Sequence, residues 1–336
     1  MCGVVGIYSQ QRVAEELFDG LIHLQHRGQD AAGVLTYQQE FHIKRGLGLV
    51  REVFNYKDVA NLPGNMGIGH VRYPTAGGHT MSDAQPIWTE GSEGIALAHN
   101  GNLLNYKELL ADLAQFAPLQ LSSSTDSEAL LHLLAQGMQS KSPLEYEGDA
   151  GFSKICGAVQ AIFNQAQGSF SVVSVLGGQG LLAFRDPHGI RPLVIGKHDS
   201  PEGVEYMVAS ESVALDVLGF QLVRDVAPGE AVFIDMDGNF YSRQCAPNAK
   251  LTPCIFEYVY LARPDSLIDG VSVYQTRLHM GESLAEKIKR EWKDLQIDVV
   301  IPIPDTSRPS ALQLANALNL TYREGFIKNR YIGRTF

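Results

Sequence analysis

The chain has 336 residues, 45% of them hydrophobic and 19% charged, a composition typical of a globular protein with room for two domains. Its formal net charge of −10 comes without a Lys/Arg-rich run, and its longest apolar runs have only strand length, so we expect neither binding to a nucleic acid polymer nor a membrane span. The four cysteines show no CxxC spacing and follow no signal peptide, which favours reduced thiols and a cytoplasmic location.

The first 240 residues combine many strands with a few helices. Directly after Cys2, an apolar run predicts a strand over Gly3–Tyr8, and leucines at helical spacing predict a helix over Ala14–Leu24. Further strands are predicted over Val34–Tyr37, Phe41–Lys44, Met66–Tyr73, Ile95–His99, Phe170–Leu176, Gly180–Phe184, Leu193–Ile195 and Tyr206–Ala209. Further helices are predicted over Tyr106–Leu113 and Ile155–Ala166.

Two short motifs add local detail to this pattern. Thr125-Asp126-Ser127-Glu128 matches a capping box ahead of an apolar helix, and Asp237-Gly238 predicts the turn of a hairpin. Because the helices are grouped rather than strictly alternating with strands, we predict a layered α+β fold with mainly antiparallel sheets.

The pattern changes after Pro247. An amphipathic helix is predicted over Thr276–Trp292, then a buried strand over Val299–Ile303 and a helix over Pro309–Leu318. The inward residues predicted for the first helix are Leu278, Leu284, Ala285 and Ile288. This looks like the start of a parallel α/β domain, and about ninety residues provide too few strands to complete one. We therefore predict two domains, residues 2–240 and an incomplete domain over residues 250–336.

Cys2 is the most informative residue for function. Removal of Met1 would give it a free α-amino group beside its own thiol, and N-terminal nucleophiles of this kind carry out acyl-transfer chemistry. The alternative is that Cys2 is a small hydrophobic residue that opens a buried strand.

Three other segments place polar groups at the ends of predicted elements. Arg72 suits a carboxylate, the Asn100 amide beside the Gly101 N–H suits an oxyanion, and Asp126 suits an ammonium group. Taken singly, these residues also fit a surface ion pair, a turn and a helix cap. Together with Cys2, they are the groups needed to hold a free α-amino acid by both charged ends and to attack its side-chain amide.

The chain resembles the amidophosphoribosyltransferase family from residue 2 to its last residue, and several of these segments carry the resemblance. The matching segments include Cys2–Ile7, Gln25–Gly33, Gly69–Thr75, His99–Asn102, Thr125–Glu128, Phe184–Pro187, Gly189–Leu193 and Phe256–Tyr260. Asparagine-forming and aminosugar-forming amidotransferases share the glutaminase motif alone. Gln25–Asp30 and Val299–Ser307 favour the amidophosphoribosyltransferase branch.

The resemblance implies a fold and a first reaction. The fold is an N-terminal-nucleophile hydrolase, an αββα sandwich, followed by the first part of an α/β phosphoribosyltransferase domain. Cys2 would hydrolyse glutamine to glutamate and ammonia, with Asn100 and Gly101 holding the oxyanion. The residues expected to bind or line the glutamine pocket are Arg27, Gly28, Arg72, Thr75 and Asp126.

In the family, ammonia then reaches phosphoribosyl pyrophosphate through an internal channel and gives 5-phosphoribosylamine, the first step of de novo purine biosynthesis. By resemblance, Ser307 is associated with Mg²⁺, and Lys328, Arg330 and Tyr331 belong to the loop that closes over the phosphoribosyl substrate. The family's strand ending in two aspartates has no match here. We therefore expect this chain to lack the second activity and not to bind Mg²⁺, and we expect no iron–sulfur cluster.

The resemblance also implies a homo-oligomer that binds glutamine and, in the full-length family, phosphoribosyl pyrophosphate. One alternative function stays open on the sequence alone. The chain would then be a catalytically silent fragment that binds glutamine or acts in regulation.

Overall fold

The computed structural model describes residues 2–73, 78, 80–89, 94–116, 118–139 and 150–329. The chain divides into two compact units, Met1–Pro253 and Cys254–Phe336. In the first unit, two antiparallel sheets face each other, and helices cover the outer face of each sheet. The expected α+β class and αββα sandwich are confirmed.

The described part of the first unit contains strands and helices in the following order. The strands are β1 (Gly3–Tyr8), β2 (Ala31–Gln38), β3 (Glu40–Leu47), β4 (Met66–Arg72), β5 (Ile87–Trp88), β6 (Ile95–Leu103), β7 (Gly168–Leu176), β8 (Gly180–Arg185), β9 (Val194–Ser200), β10 (Gly203–Ala209), β11 (Gln221–Asp225), β12 (Glu230–Asp235) and β13 (Phe240–Gln244). The helices are α1 (Ala14–Leu24), α2 (Val50–Val53), α3 (Tyr56–Ala60), α4 (Tyr106–Ala114), α5 (Ser127–Gln139), α6 (Ala150–Gln165) and α7 (Ser212–Val217).

The N-terminal strand lies in the middle of the first sheet. The strand order of that sheet is β11-β9-β10-β1-β4-β2-β3, and the second sheet runs β13-β12-β8-β7-β6-β5. In β1, Val5 and Ile7 pack with the covering helices, whereas Val4 and Tyr8 belong to the core between the sheets. Because successive side chains point to opposite faces, a strand buried on both sides needs apolar residues at consecutive positions. This explains the apolar run that follows Cys2.

The change from the sequence prediction that matters most for the site is the length of β6. The predicted strand ended at His99, but β6 continues to Leu103. Asn100 pairs with Ser171 and Gly101 with Phe170, so the Asn-Gly pair lies inside the ladder between β6 and β7 rather than in a turn. By contrast, β1 and α1 have the predicted bounds, because their apolar periodicity is uninterrupted.

The second unit is described by itself. Its elements are β14 (Leu267–Ile268), β15 (Val271–Ser272), α8 (Val273–Glu291), β16 (Val299–Val300), α9 (Arg308–Leu318) and β17 (Thr321–Tyr322). β16 pairs in parallel with β17, which agrees with the expected start of an α/β domain. The prediction of a buried strand over Val299–Ile303 is wrong. Only its first two residues form a strand, and Ile301 and Ile303 are 41% and 66% exposed.

Helix α8 also differs from its predicted form. It starts three residues earlier than predicted because the Ser272 hydroxyl accepts a hydrogen bond from the Gln275 N–H at 3.3 Å and caps the first turn. Ala285 is buried as predicted, but Leu284 is 43% exposed. The buried face carries Arg277, which donates to the carbonyls of Tyr258 and Ala262 at 2.8 Å each.

We expect amide protons of residues 254–329 to exchange faster than those of the sheets in residues 2–253. The described strands of the second unit are two residues long, and Ile301 and Ile303 are exposed. Local opening of these strands therefore breaks few hydrogen bonds and exposes little additional apolar surface. Hydrogen exchange followed by mass spectrometry of peptides measures this. Equal protection in the two units would contradict the expectation.

Candidate active site

The alternation of side chains gathers polar residues at one end of the space between the sheets. On β4, Met66 and Ile68 belong to the core between the sheets, so His70 and Arg72 follow on the same face. On β6, Ala96 and Ala98 belong to that core, and Asn100 follows them. Cys2 lies one residue beyond the Gly3–Val71 pair of β1 and β4, so it falls in register beside Arg72.

Asn100 connects the two sheets at Cys2. The peptide nitrogen of Cys2 donates to Asn100 Oδ1 at 3.1 Å, and the Cys2 thiol lies 3.5 Å from the carbonyl oxygen of Tyr73. Cys2 is 6% exposed and Asn100 is fully buried. Among the described residues, Asn100 Nδ2 has no hydrogen-bond partner. A buried amide N–H without a partner is costly unless a ligand uses it, so this donor offers a place for a ligand oxygen atom close to Cys2.

Gly101 has to be a glycine in this strand. A Cβ atom at this position would lie 1.9 Å from the carbonyl oxygen of Ser169 on β7. The close approach of the two strands therefore fixes the backbone next to Asn100, and the position of the Gly101 N–H depends on the sheet rather than on a side-chain rotamer.

Beneath Cys2 lies a buried ion pair. Arg27 Nε donates to the Cys2 carbonyl oxygen at 3.0 Å, and Arg27 Nη1 lies 2.5 Å from Glu211 Oε1. His26 Nε2 contacts the same carboxylate oxygen at 2.7 Å. Arg27 and Glu211 are 1% and 0% exposed. The sequence placed Arg27 in the lining of the pocket, whereas this structure shows its guanidinium engaged with the backbone of Cys2. Sequence reasoning missed Glu211, which no local motif connects with Arg27.

Gly28 lies against the strand that carries Arg72. A Cβ atom on Gly28 would come within 2.6 Å of the carbonyl carbon atoms of Val71 and Arg72 and of the carbonyl oxygen of Val71. The glycine has an extended backbone (φ −155°, ψ 137°), so the requirement is space and not a special conformation. Gly28 therefore sets the distance between the segment after α1 and the end of β4.

Asp126 lies directly before α5. Its Oδ2 accepts a hydrogen bond from the N–H of Leu103 at 2.8 Å, and the residue is 4% exposed. This contact holds Asp126 at the end of β6, three residues after Asn100. The predicted capping box takes another form, because Glu128 accepts from the N–H and hydroxyl of Ser122, at 3.1 and 2.8 Å, instead of turning back to Thr125.

Arg72 ends β4 and is 3% exposed. Its Nη1 donates to the carbonyl oxygen of Gly78 at 2.9 Å, which holds the segment after the strand close to the arginine. Thr75, the other residue expected near the substrate carboxylate, lies outside the described residues.

Two buried histidines support this end of the sheets. His70 Nε2 contacts the carbonyl oxygen of His99 at 3.3 Å, and His99 Nδ1 contacts the Ser127 hydroxyl at 2.9 Å. Burial, together with nearby His99 and Arg72, lowers the pKa of His70 well below its usual value. Burial also lowers the pKa of His99. Both imidazoles are therefore neutral in the folded protein at neutral pH.

The residues expected at a phosphoribosyl site lie in the second unit. The Ser307 hydroxyl donates to the carbonyl oxygen of Ile303 at 2.5 Å. Asp305 faces Arg308 and Lys328, at 3.7 and 4.0 Å. The two cations beside Asp305 disfavour a magnesium ion at its carboxylate. Arg330 and Tyr331 lie outside the described residues. Across the part of the chain that is described, no group of three or more His, Cys, Asp or Glu residues could hold a metal ion.

Comparison with known proteins agrees with this geometry. A model of the glutamine amidotransferase domain matches residues 75–217. The amidophosphoribosyltransferase of Pseudomonas aeruginosa is 51% identical over 337 residues, which cover 100% of this chain and 66% of that protein. The solved glutamine phosphoribosylpyrophosphate amidotransferase from B. subtilis, complexed with ADP and GMP, matches with a TM-score of 0.82 and 34% identity, over 100% of this chain and 68% of its own. The chain belongs to the amidophosphoribosyltransferase family.

A second solved structure, described as the allosteric regulatory enzyme of purine biosynthesis, gives a TM-score of 0.84 at 34% identity and covers 100% of this chain and 67% of its own. The chain thus spans about two thirds of the length of the amidophosphoribosyltransferases that it matches. Membership of this family argues against the asparagine-forming and aminosugar-forming alternatives. No helix in the described ranges is long and apolar enough to cross a membrane.

Replacement of Gly28 by alanine is expected to destabilise the first unit by roughly 1–3 kcal/mol, because the new methyl group overlaps the backbone of β4. Gly20→Ala is the matched control, since a Cβ atom there meets its nearest neighbour at an ordinary 3.5 Å. Urea unfolding of both variants measures the difference. Equal stability of Gly28→Ala and Gly20→Ala would show that the close approach is not a constraint.

Acidification is expected to destabilise the protein below about pH 6.5, the ordinary pKa of the unfolded histidines. Because the pKa values of His70 and His99 are lowered in the folded state, unfolding takes up protons as the pH falls, at up to about 1.4 kcal/mol per pH unit for each proton. His70→Gln is expected to flatten this dependence. The free energy of unfolding between pH 5 and 8 tests this, and an unaltered slope in His70→Gln would contradict it.

Proposed function

We propose that the first unit is a glutaminase in which Cys2, after removal of Met1, attacks the side-chain amide of glutamine. The observation that carries the proposal is the position of Asn100. Its Oδ1 accepts from the Cys2 nitrogen at 3.1 Å, while its buried Nδ2 has no partner among the described residues. One side chain thus orients the future α-amine and offers a donor close to Cys2.

The proposed reaction has two halves. The α-amine of Cys2 accepts the thiol proton, and the sulfur attacks the amide carbon of glutamine. Asn100 Nδ2 and the Gly101 N–H stabilise the oxyanion of the tetrahedral intermediate. The protonated amine gives its proton to the leaving nitrogen, so ammonia departs and a thioester stays on Cys2. Water then attacks the thioester, and glutamate and the thiol are released.

Substrate binding is assigned to charged residues at the ends of β4 and β6. Arg72 would bind the α-carboxylate of glutamine and Asp126 its α-ammonium group, with Thr75 assisting as the family resemblance implies. The buried position of Arg72 and Asp126, 3% and 4% exposed, supports this assignment because desolvated charges bind oppositely charged groups more strongly. Arg27, which donates to the Cys2 carbonyl oxygen, would orient the nucleophile from below.

For the complete protein, we propose the activity that its relatives' name states, amidophosphoribosyl transfer. Ammonia from the glutaminase would displace pyrophosphate from phosphoribosyl pyrophosphate, and the second unit would contribute to that site. A protein that binds glutamine without hydrolysing it is the second candidate function, and glutamate release separates the two.

The test is labelling by a glutamine analogue that carries an electrophilic diazoketone, followed by intact mass measurement and peptide mapping. We expect a chain without Met1 that carries a single adduct on Cys2. Retention of Met1, or folded protein without label on Cys2, would remove the base or the pocket from the mechanism.

Asn100→Ala is expected to lower the rate of glutamate release by roughly 10²–10³-fold, because one oxyanion donor is lost. Asn105→Ala is the control. Asn105 lies at the start of α4, where its amide donates to the carbonyl oxygen of Gln165 and accepts from the N–H of Gln167. Steady-state assays of glutamate release measure both variants. Similar kcat values for the two variants would contradict the role of Asn100.

A further inference from the structure

Asp83 connects two segments that carry the proposed substrate-binding residues. Its Oδ2 accepts hydrogen bonds from the N–H and hydroxyl of Thr80, at 3.2 and 2.6 Å. Its Oδ1 accepts from the N–H and hydroxyl of Ser124, at 3.0 and 2.8 Å. The side chain is fully buried. One carboxylate therefore binds the segment that follows β4 to the segment that precedes α5.

Ser124 extends this connection to Arg72. The Ser124 hydroxyl donates to Asp83 and accepts from the N–H of Gly78 at 3.2 Å, so its donor and one of its acceptor sites are used. Gly78 in turn accepts from Arg72 Nη1 at 2.9 Å. A continuous path of hydrogen bonds thus runs from Arg72 through Gly78 to Ser124, two residues before Asp126.

The carboxylate of Asp83 is charged throughout the physiological pH range. Burial alone would raise the pKa of Asp83, but the hydrogen bonds from Thr80 and Ser124 outweigh it and lower the pKa to about 2. Hydrogen bonds to a charged acceptor are stronger than those between neutral groups, so this connection is stiffer than an ordinary turn.

The residues after Asp83 are anchored separately. Arg45 Nη1 donates to the carbonyl oxygens of Ala84 and Pro86, at 2.5 and 3.1 Å. The Gln85 side chain accepts from the N–H of His99 on β6 at 2.8 Å. Asp83 therefore projects from a segment that is itself fixed to both sheets.

We propose that Asp83 and Ser124 are positioning residues that set the separation between Arg72 and Asp126, and thereby select a ligand with a free α-carboxylate and a free α-ammonium group. The proposal rests on the glutaminase function proposed above and assigns it two further residues. Neither residue needs to touch the substrate. Their role is to hold the side chains of Arg72 and Asp126 at the separation that matches the α-carboxylate and the α-ammonium group of one free amino acid.

A plainer interpretation is that Asp83 only caps the short helical turn Met81–Asp83, since Thr80 and Asp83 form a capping box. The two oxygens of the carboxylate separate these interpretations. The cap uses Oδ2, whereas the link to Ser124 uses Oδ1, so removing the Ser124 hydroxyl leaves the cap intact.

The experiment compares Ser124→Ala, Ser124→Thr and Asp83→Asn with the unaltered chain in glutamate release. We expect Ser124→Ala to raise the KM for glutamine roughly 5- to 30-fold with kcat within about twofold, because the hydrogen bonds lost act on binding and not on the thiol. Ser124→Thr keeps a hydroxyl and is expected to restore KM. Asp83→Asn is expected to raise KM at least as much. Ser122→Ala is the matched control, since that hydroxyl bonds to Glu128.

The outcomes separate the two proposals. If the unaltered chain binds glutamine without hydrolysing it, the Kd from calorimetry replaces KM in the same comparison. An unchanged KM or Kd in Ser124→Ala, or an equal loss in Ser122→Ala, would overturn the positioning role alone. An unaltered chain that neither binds glutamine nor accepts label on Cys2 would overturn both proposals.

Discussion

The hydrogen bond between the Cys2 nitrogen and Asn100 Oδ1 is the contact on which the candidate site depends. It joins the central strand of one sheet to the other sheet at 3.1 Å, across the layer that the core side chains otherwise fill. Cys2 and Asn100 each continue the strand face whose other residues form the core between the sheets. The packing of Val4 in that core therefore fixes how closely Cys2 and Asn100 approach each other. Stability of the core and geometry of the site therefore cannot be separated here.

The site is built from polar groups that are expensive to bury. Arg27 and Glu211 compensate each other beneath Cys2, and Asp83 is compensated by four hydrogen bonds from Thr80 and Ser124. Asn100 Nδ2 is among the buried side-chain atoms that no described residue satisfies, and His70 Nδ1 and His99 Nε2 are others at this end of the sheets. Asn100 Nδ2 differs from these in its place, because it belongs to the side chain that accepts from the Cys2 nitrogen and so lies where the proposed oxyanion would form.

The sequence predicts this fold well where one local signal decides the outcome. Continuous apolar residues define β1, and leucine spacing defines α1. The predicted end of β6 is wrong because Asn100-Gly101 is a strong local turn signal, and pairing with β7 overrides that signal. The exposure of Ile303 also contradicts its apolar pattern. The contact of Glu211 with Arg27 and that of Asp83 with Ser124 could not be found, since 184 and 41 residues separate the partners and no local pattern connects them.

The central position of β1 has a consequence for how the protein is made. β1 is synthesised long before β10 (Gly203–Ala209), one of the two strands that flank it, and the sheet cannot close around β1 until β10 is present. Until then the amino terminus is accessible, and afterwards Cys2 is 6% exposed. Any cleavage that exposes the α-amine of Cys2, as the proposed mechanism requires, is therefore easiest before β10 pairs with β1.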